Sequence, residues 1–199
     1  MCYSFEVSLG TGIAAYALGY ILFQRDLTES EKKTVIAFLI FTSMQFVDAI
    51  LWFTKMKKDW VNFLVTSFVI PIILIMQVVY NIYFISETDN RLLDAIIIIG
   101  SMYIFYRFHG YSQPMCSNKL SSPIWANNDV HVLEALIFAM FITFPSWKAF
   151  LIVSLFVFAV KYYVKGAIGS WWCFMAAFLS TIMYFTFGIK GREFFLKFK

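Results

Sequence analysis

Charged residues are what this chain has least of. Asp, Glu, Lys and Arg make up 14% of its 199 residues, where soluble domains carry about 25%. Hydrophobic residues reach 61% and aromatics 21%. That leaves too little polar surface to cover a core in water, so the chain is expected in a lipid bilayer. No polar stretch exceeds about 20 residues, too short for a soluble domain. Cysteine is scarce: Cys2, Cys116 and Cys173 form at most one pair and no disulfide framework. Histidine is scarcer, with only His109 and His131. A zinc site usually needs three or four ligands, so Cys2, Asp48 or Glu134 would have to complete one, and no metal is assigned. The 9 Gly set against 24 Phe suggest lipid-facing bulk more than tight helix crossings. A net charge of +4, spread over loops and a basic tail at 189–199, suits a membrane surface and gives no reason to invoke nucleic acid.

What the chain does have is long apolar runs. Seven segments stand out, at 7–23, 34–53, 60–85, 92–106, 130–144, 147–164 and 167–188. The fold predicted is all-α: a polytopic bundle of about seven transmembrane helices with no soluble domain. The fourth and fifth are short enough to form a re-entrant pair instead. MCYSFEVS carries no Lys or Arg, so the basic region of a cleaved signal is missing and 7–23 reads as a retained helix. Thr28 and Glu31 have the spacing of a capping box for the second segment. Pro71 and Gly100 mark candidate kinks. The exception to the short connections is 107–129, whose two prolines and Trp125 argue for a loop folded back over the bundle.

Lys and Arg counts set orientation. With the N-terminus outside, inner segments hold nine (Arg25, Lys32, Lys33, Arg91, Lys148, Lys190, Arg192, Lys197, Lys199) and outer segments seven. The N-terminus is therefore expected outside and the C-terminus in the cytoplasm. Whatever the orientation, odd segments start on the N-terminal side and even segments end there. Cys2, Glu6, Asp48, His109, His131, Glu134, Trp172, Cys173 and the 107–129 loop then converge on one half of the bilayer. Gln77 and Asn81, a second polar pair one turn apart, lie in the other half.

Asp48 is the most telling residue. It lies inside an apolar run with Gln45 on the same helical face, where a carboxylate costs roughly 2.5–3.5 kcal/mol unless it faces protein or water. It reads as a proton or cation site, or as a hydrogen bond joining helices. His131 and Glu134, three apart, read as an acid–base couple or as an interfacial helix start. Cys2, once Met1 is removed, would pair a thiol with a free amine as nucleophile or chelator. Trp171 and Trp172 read as an interfacial belt or a stacking surface for a ligand.

The opening Met1-Cys2-Tyr3-Ser4 with Ser8, the run from Gln45 through Asp48 to Trp52, and Ser170-Trp171-Trp172-Cys173-Phe174 with Ala176 and Ala177 are spread over nearly the whole chain. They resemble, in order, the Met-Cys-Phe-Ser start, Gln-x-x-Glu-Gly-x-x-Trp helix and Ser-x-Trp-Cys-Phe-x-Ala-Ala helix of a family of uncharacterised bacterial multi-pass membrane proteins. Asp48 and Ala49 stand where that family has Glu and Gly. The resemblance implies signature roles for Cys2, Gln45, Asp48, Trp172 and Cys173, and no activity. The His-x-x-x-His pair of alkaline-ceramidase-type hydrolases is absent, and Lys190 falls past the point where microbial rhodopsins need a lysine.

Two function classes follow. One is a small transporter, channel or ligand-binding protein handling a small solute, cation or lipid around Asp48. The other is a membrane-embedded enzyme on a lipid or acyl substrate, with Cys2 or His131 as the reactive group. No cofactor follows from the residues.

Overall fold

The computed structural model describes residues 4–116, 121–127, 130–163 and 181–182. Helix α1 (Phe5–Phe23) begins where Ser4, in extended conformation, accepts a hydrogen bond from the Val7 amide. Helix α2 (Glu29–Phe53) opens with the capping box that the Thr28 and Glu31 spacing predicts. Glu31 Oε2 accepts from the Thr28 amide at 2.7 Å and Thr28 Oγ1 accepts from the Glu31 amide at 3.3 Å. Helix α3 (Trp60–Ile85) is capped by Asp59 and carries two wider π-helical turns, Val65–Val69 and Asn81–Ile85. The first lies just before Pro71, which has no N–H for the Ser67 carbonyl four residues back and a ring that crowds it. A widened turn relieves both.

These three helices are long and apolar enough to cross a membrane, and the protein is accordingly described as a helical membrane protein. The count of seven is not reached among the described residues. Helix α4 (Arg91–Arg107) runs unbroken through Gly100, and α5 (Val132–Thr143) and α6 (Trp147–Tyr163) follow. Helix α5 has only 12 residues because Val130 and His131 stay out of it, His131 being extended at φ −68°, ψ 145°. Residues 164–180 and 183–199, which include most of the seventh segment and the basic tail, lie outside the described residues.

The long connection is not structureless. Gln113–Cys116 (β1) and Ser121–Ile124 (β2) pair antiparallel, with Pro114 opposite Pro123. Both prolines are tolerated because each strand of a two-stranded ribbon is an edge.

Packing departs from one expectation. Ser8, Gly12, Ala15, Gly19 and Leu22 form the buried stripe of α1 against α2. A Cβ at Gly19 would lie 2.7 Å from Leu39 Cδ2, and one at Gly12 would lie 3.1 Å from the Phe46 ring. The glycines are few, but they sit where backbones touch, so this crossing is tight despite the Phe-rich composition. The central core is Met44, Val47 and Leu51 of α2 against Ile70 and Leu74 of α3, closed at one end by Phe108, Trp125 and Ala126. Tyr20, Phe53, Trp60, Leu92, Ile99, Leu155 and Tyr162 point outward, as suits a surface solvated by lipid tails.

Candidate functional site: the buried polar face of α2

The i, i+3, i+7 spacing of Gln45, Asp48 and Trp52 puts all three on one side of α2, toward the protein rather than lipid. Gln45 and Asp48 are 1% and 3% exposed. The indole Nε1–H of Trp125 donates to Asp48 Oδ1 at 3.0 Å. Trp125 itself is buried against Phe108, ring centroids 6.1 Å apart. The residue after it, Ala126, has φ 56°, a left-handed conformation that costs an alanine about 1–2 kcal/mol and turns the chain back over α2. The long connection thus delivers a hydrogen-bond donor to a carboxylate inside an apolar core.

On the α1 side, Thr11 Oγ1 lies 3.0 Å from Gln45 Oε1, 2.8 Å from the Val7 carbonyl and 3.1 Å from the Ser8 carbonyl. A threonine has one hydroxyl proton, and it cannot serve three acceptors. With that proton on the Val7 carbonyl, Thr11 becomes an acceptor, and the Gln45 amide turned by half a rotation donates to it. Gln45 Oε1 then faces the interior beside Asp48. As placed, Gln45 Nε2, Ser8 Oγ and Trp52 Nε1 are buried with no partner among the described residues. Ser8 sits one turn from Gly12, whose Cβ position is 3.3 Å from Gln45 Cβ. Since α1 and α2 run antiparallel, Ser8 is level with the turn from Asp48 to Trp52.

The other predicted site residues fall elsewhere. Glu6 is exposed in the first turn of α1, a position favoured by the helix dipole. His109 is exposed and meets the Phe63 ring edge-on at 5.3 Å. His131 and Glu134 do meet, but through the His131 backbone, whose N–H donates to Glu134 Oε2 at 2.8 Å. Glu134 Oε1 accepts from Arg107 Nε at 2.8 Å and from the Tyr103 hydroxyl at 2.5 Å, and Arg107 Nη2 adds a 3.3 Å bond to Oε2. This cluster joins the end of α4 to the start of α5. Asn81 does not pair with Gln77. Its Nδ2 donates to the Phe141 and Phe144 carbonyls at 2.8 and 2.9 Å, satisfying acceptors that α5 leaves open at its end. Gln77 is 5% exposed with both amide atoms unpartnered among the described residues. Cys2, Trp172 and Cys173 lie outside the described residues. Among the described residues no group of three or more His, Cys, Asp or Glu side chains is placed to hold a metal.

Sequence reasoning passed over a second polar face, on α3. Asn62 Nδ2 donates to the Ser112 carbonyl at 3.0 Å and Asn62 Oδ1 accepts from the Ser112 amide at 2.9 Å. Thr66 Oγ1 and Ser112 Oγ are 2.7 Å apart, and Ser67 Oγ accepts from the Gly110 amide at 3.0 Å. Gly110 has φ 145°, which a side chain would strain. These bonds pin the connection that carries Trp125. The signal was there in Asn62, Thr66 and Ser67, three polar residues at i, i+4 and i+5 inside an apolar run.

No family model, curated protein or solved structure matches the chain.

Proposed function

We propose that this membrane protein is a small transporter, channel or ligand-binding protein whose working site is the polar pocket around Asp48, and that the pocket takes a proton or a small cation. The observation that carries this reading is the buried carboxylate beside polar side chains that are themselves nine-tenths buried and not fully paired. Gln45 and Ser8 are each 1% exposed, and each has an unpartnered polar atom. A network serving only to hold helices together saturates its groups, because each buried unpaired group costs about 1–3 kcal/mol. With the Gln45 amide turned to donate to Thr11, Gln45 Oε1, Ser8 Oγ and the carboxylate present oxygens to one space, which suits a hard cation or a proton.

The N-terminus outside and the C-terminus inside belong to this proposal, as does the resemblance to the uncharacterised family, whose conserved-looking acid would be Asp48. An enzyme built on His131 gains less support, since Glu134, its nearest acid, is bound to Arg107 and Tyr103. In vesicles with a trapped pH dye, the wild-type protein should relax an imposed proton gradient, and a trapped sodium dye separates the two ions. Asp48→Asn should abolish the flux at equal reconstitution. Unchanged flux in that variant removes Asp48 from the function.

A further inference from the structure

A cleft of about 430 Å³ runs between α3, α4, α5 and α6, within the range of sites that take small organic ligands. Its walls are hydrocarbon: Leu74 from α3, Ile97 and Gly100 from α4, Phe138 from α5 and Val157 from α6, with the ring of Trp125 at one end. Ser101 lines it too, but its hydroxyl is spent on the Ile97 carbonyl at 2.7 Å. The remaining polar lining is Tyr103, Arg107 and Glu134. Those three are bonded to one another at the last turns of α4 and the first turn of α5. The cleft is therefore apolar along its length and polar at one end.

Helix α4 says how it is reached. None of its residues is fully buried. Its outer face shows Leu92, Ile98, Ile99 and Met102 at 61–69% exposed, a surface only lipid tails would cover. Lipid thus lies directly against the helix that walls the cleft. The polar end sits at helix termini, the level of the headgroups in a bundle of this kind.

We propose that the cleft holds one acyl chain of a bilayer phospholipid, with its headgroup at the Arg107, Glu134 and Tyr103 end. This is a second site, on the far side of Trp125 from Asp48: the ring forms a wall of the cleft while its N–H bonds the carboxylate. Gly100 supplies the means of closing it. A Cβ built there meets nothing within 4 Å, so Gly100→Phe projects into the cleft without a clash, and glycine is the poorer helix former.

The test uses the full chain in phosphatidylcholine vesicles containing a phosphatidylcholine with a photoactivatable diazirine in mid-chain, with labelled residues mapped by mass spectrometry. Cleft residues such as Leu74, Ile97 and Phe138 should label saturably, reaching a plateau at a few per cent of probe, whereas Ile152 and Leu155 on the outer face of α6 should label in proportion to probe. Gly100→Phe should cut cleft labelling at least fivefold and leave α6 labelling unchanged. Gly100→Ala, which leaves the cleft open, should label like wild type. Non-saturable cleft labelling overturns the proposal, as does equal labelling in Gly100→Phe, or cleft labelling by a free diazirine fatty acid alone. If Gly100→Phe unfolds, outer-face labelling changes with it, and Gly100→Leu replaces it under the same criteria.

Discussion

Trp125 donates to Asp48 across 77 residues of sequence, joining a loop to the middle of a bilayer-length helix. Both partners are buried, at 5% and 3% exposed. Neither is where its residue type is most at ease, since a carboxylate dislikes hydrocarbon and an indole N–H dislikes being unpaired. Each satisfies the other.

Trp125→Phe removes the donor and keeps the ring. It should destabilise the detergent-solubilised protein by about 1–3 kcal/mol, read as a lower thermal midpoint. In an Asp48→Leu background, where the carboxylate is gone, the same substitution should cost less. Equal costs in both backgrounds would show that the bond contributes nothing.

The α1–α2 crossing depends on two glycines and not on the third. Gly19→Val should separate the helices, because its Cβ would start 2.7 Å from Leu39, and the loss should be partly rescued by Leu39→Ala. Gly10→Ala, with nothing within 4 Å, should be neutral or stabilising by up to about 1 kcal/mol. Thermal midpoints of the four variants check this.

Asn62→Leu deletes both bonds to Ser112 without shrinking the side chain. Protease cleavage between residues 110 and 128 should speed up several-fold while the helices stay folded by circular dichroism. An unchanged cleavage rate would place the anchor of the connection elsewhere.

Arg107→Ala leaves Glu134 without its cation at a site where both side chains are about 80% buried, with relative exposures of 16% and 20%. It should cost more stability than the double change Arg107→Ala with Glu134→Gln, because an unpaired, partly desolvated charge is worse than none. If the single variant is the more stable, the pair is only a surface contact.

Single cysteines at 110–128, in a background free of the native ones, should react with an impermeant thiol reagent from the same side as an N-terminal epitope. Reaction from opposite sides would mean an odd number of crossings between them.

Much of the helical layout was legible because apolar runs have a length that the bilayer dictates. The Thr28 cap was legible from local spacing alone. The direction of the Asp48 side chain followed from the cost of exposing it to lipid. What could not be read was partnership. Arg107 and Glu134 fall in the same half of the bilayer by counting, but their bonding to each other depends on how α4 and α5 lean. The His131 and Glu134 spacing suggested a couple of side chains, and the backbone of His131 took that bond instead. The tight α1–α2 crossing was hidden because total glycine count says nothing of whether glycines share a face; Gly12 and Gly19 do, with Ala15 between them. Trp125 was seen as an aromatic in a long loop. Its target lay beyond any local rule.

The two π-helical turns of α3 have a consequence for how this chain tolerates change in length. Each such turn holds one residue more than an α-turn, an insertion that the helix absorbs rather than passes on. The turn at Val65–Val69 separates two angular phases: Asn62 and Thr66 serve the connection on one side, and Gln77 and Asn81 serve the bundle on the other. Deleting a single residue there would restore regular winding and swing everything after it by about 100°. Asn81 would leave the carbonyls of Phe141 and Phe144, and an outer-face residue such as Ile72 or Met76 would turn inward. A deletion at Phe84, beyond the last of these contacts, would leave that phase intact.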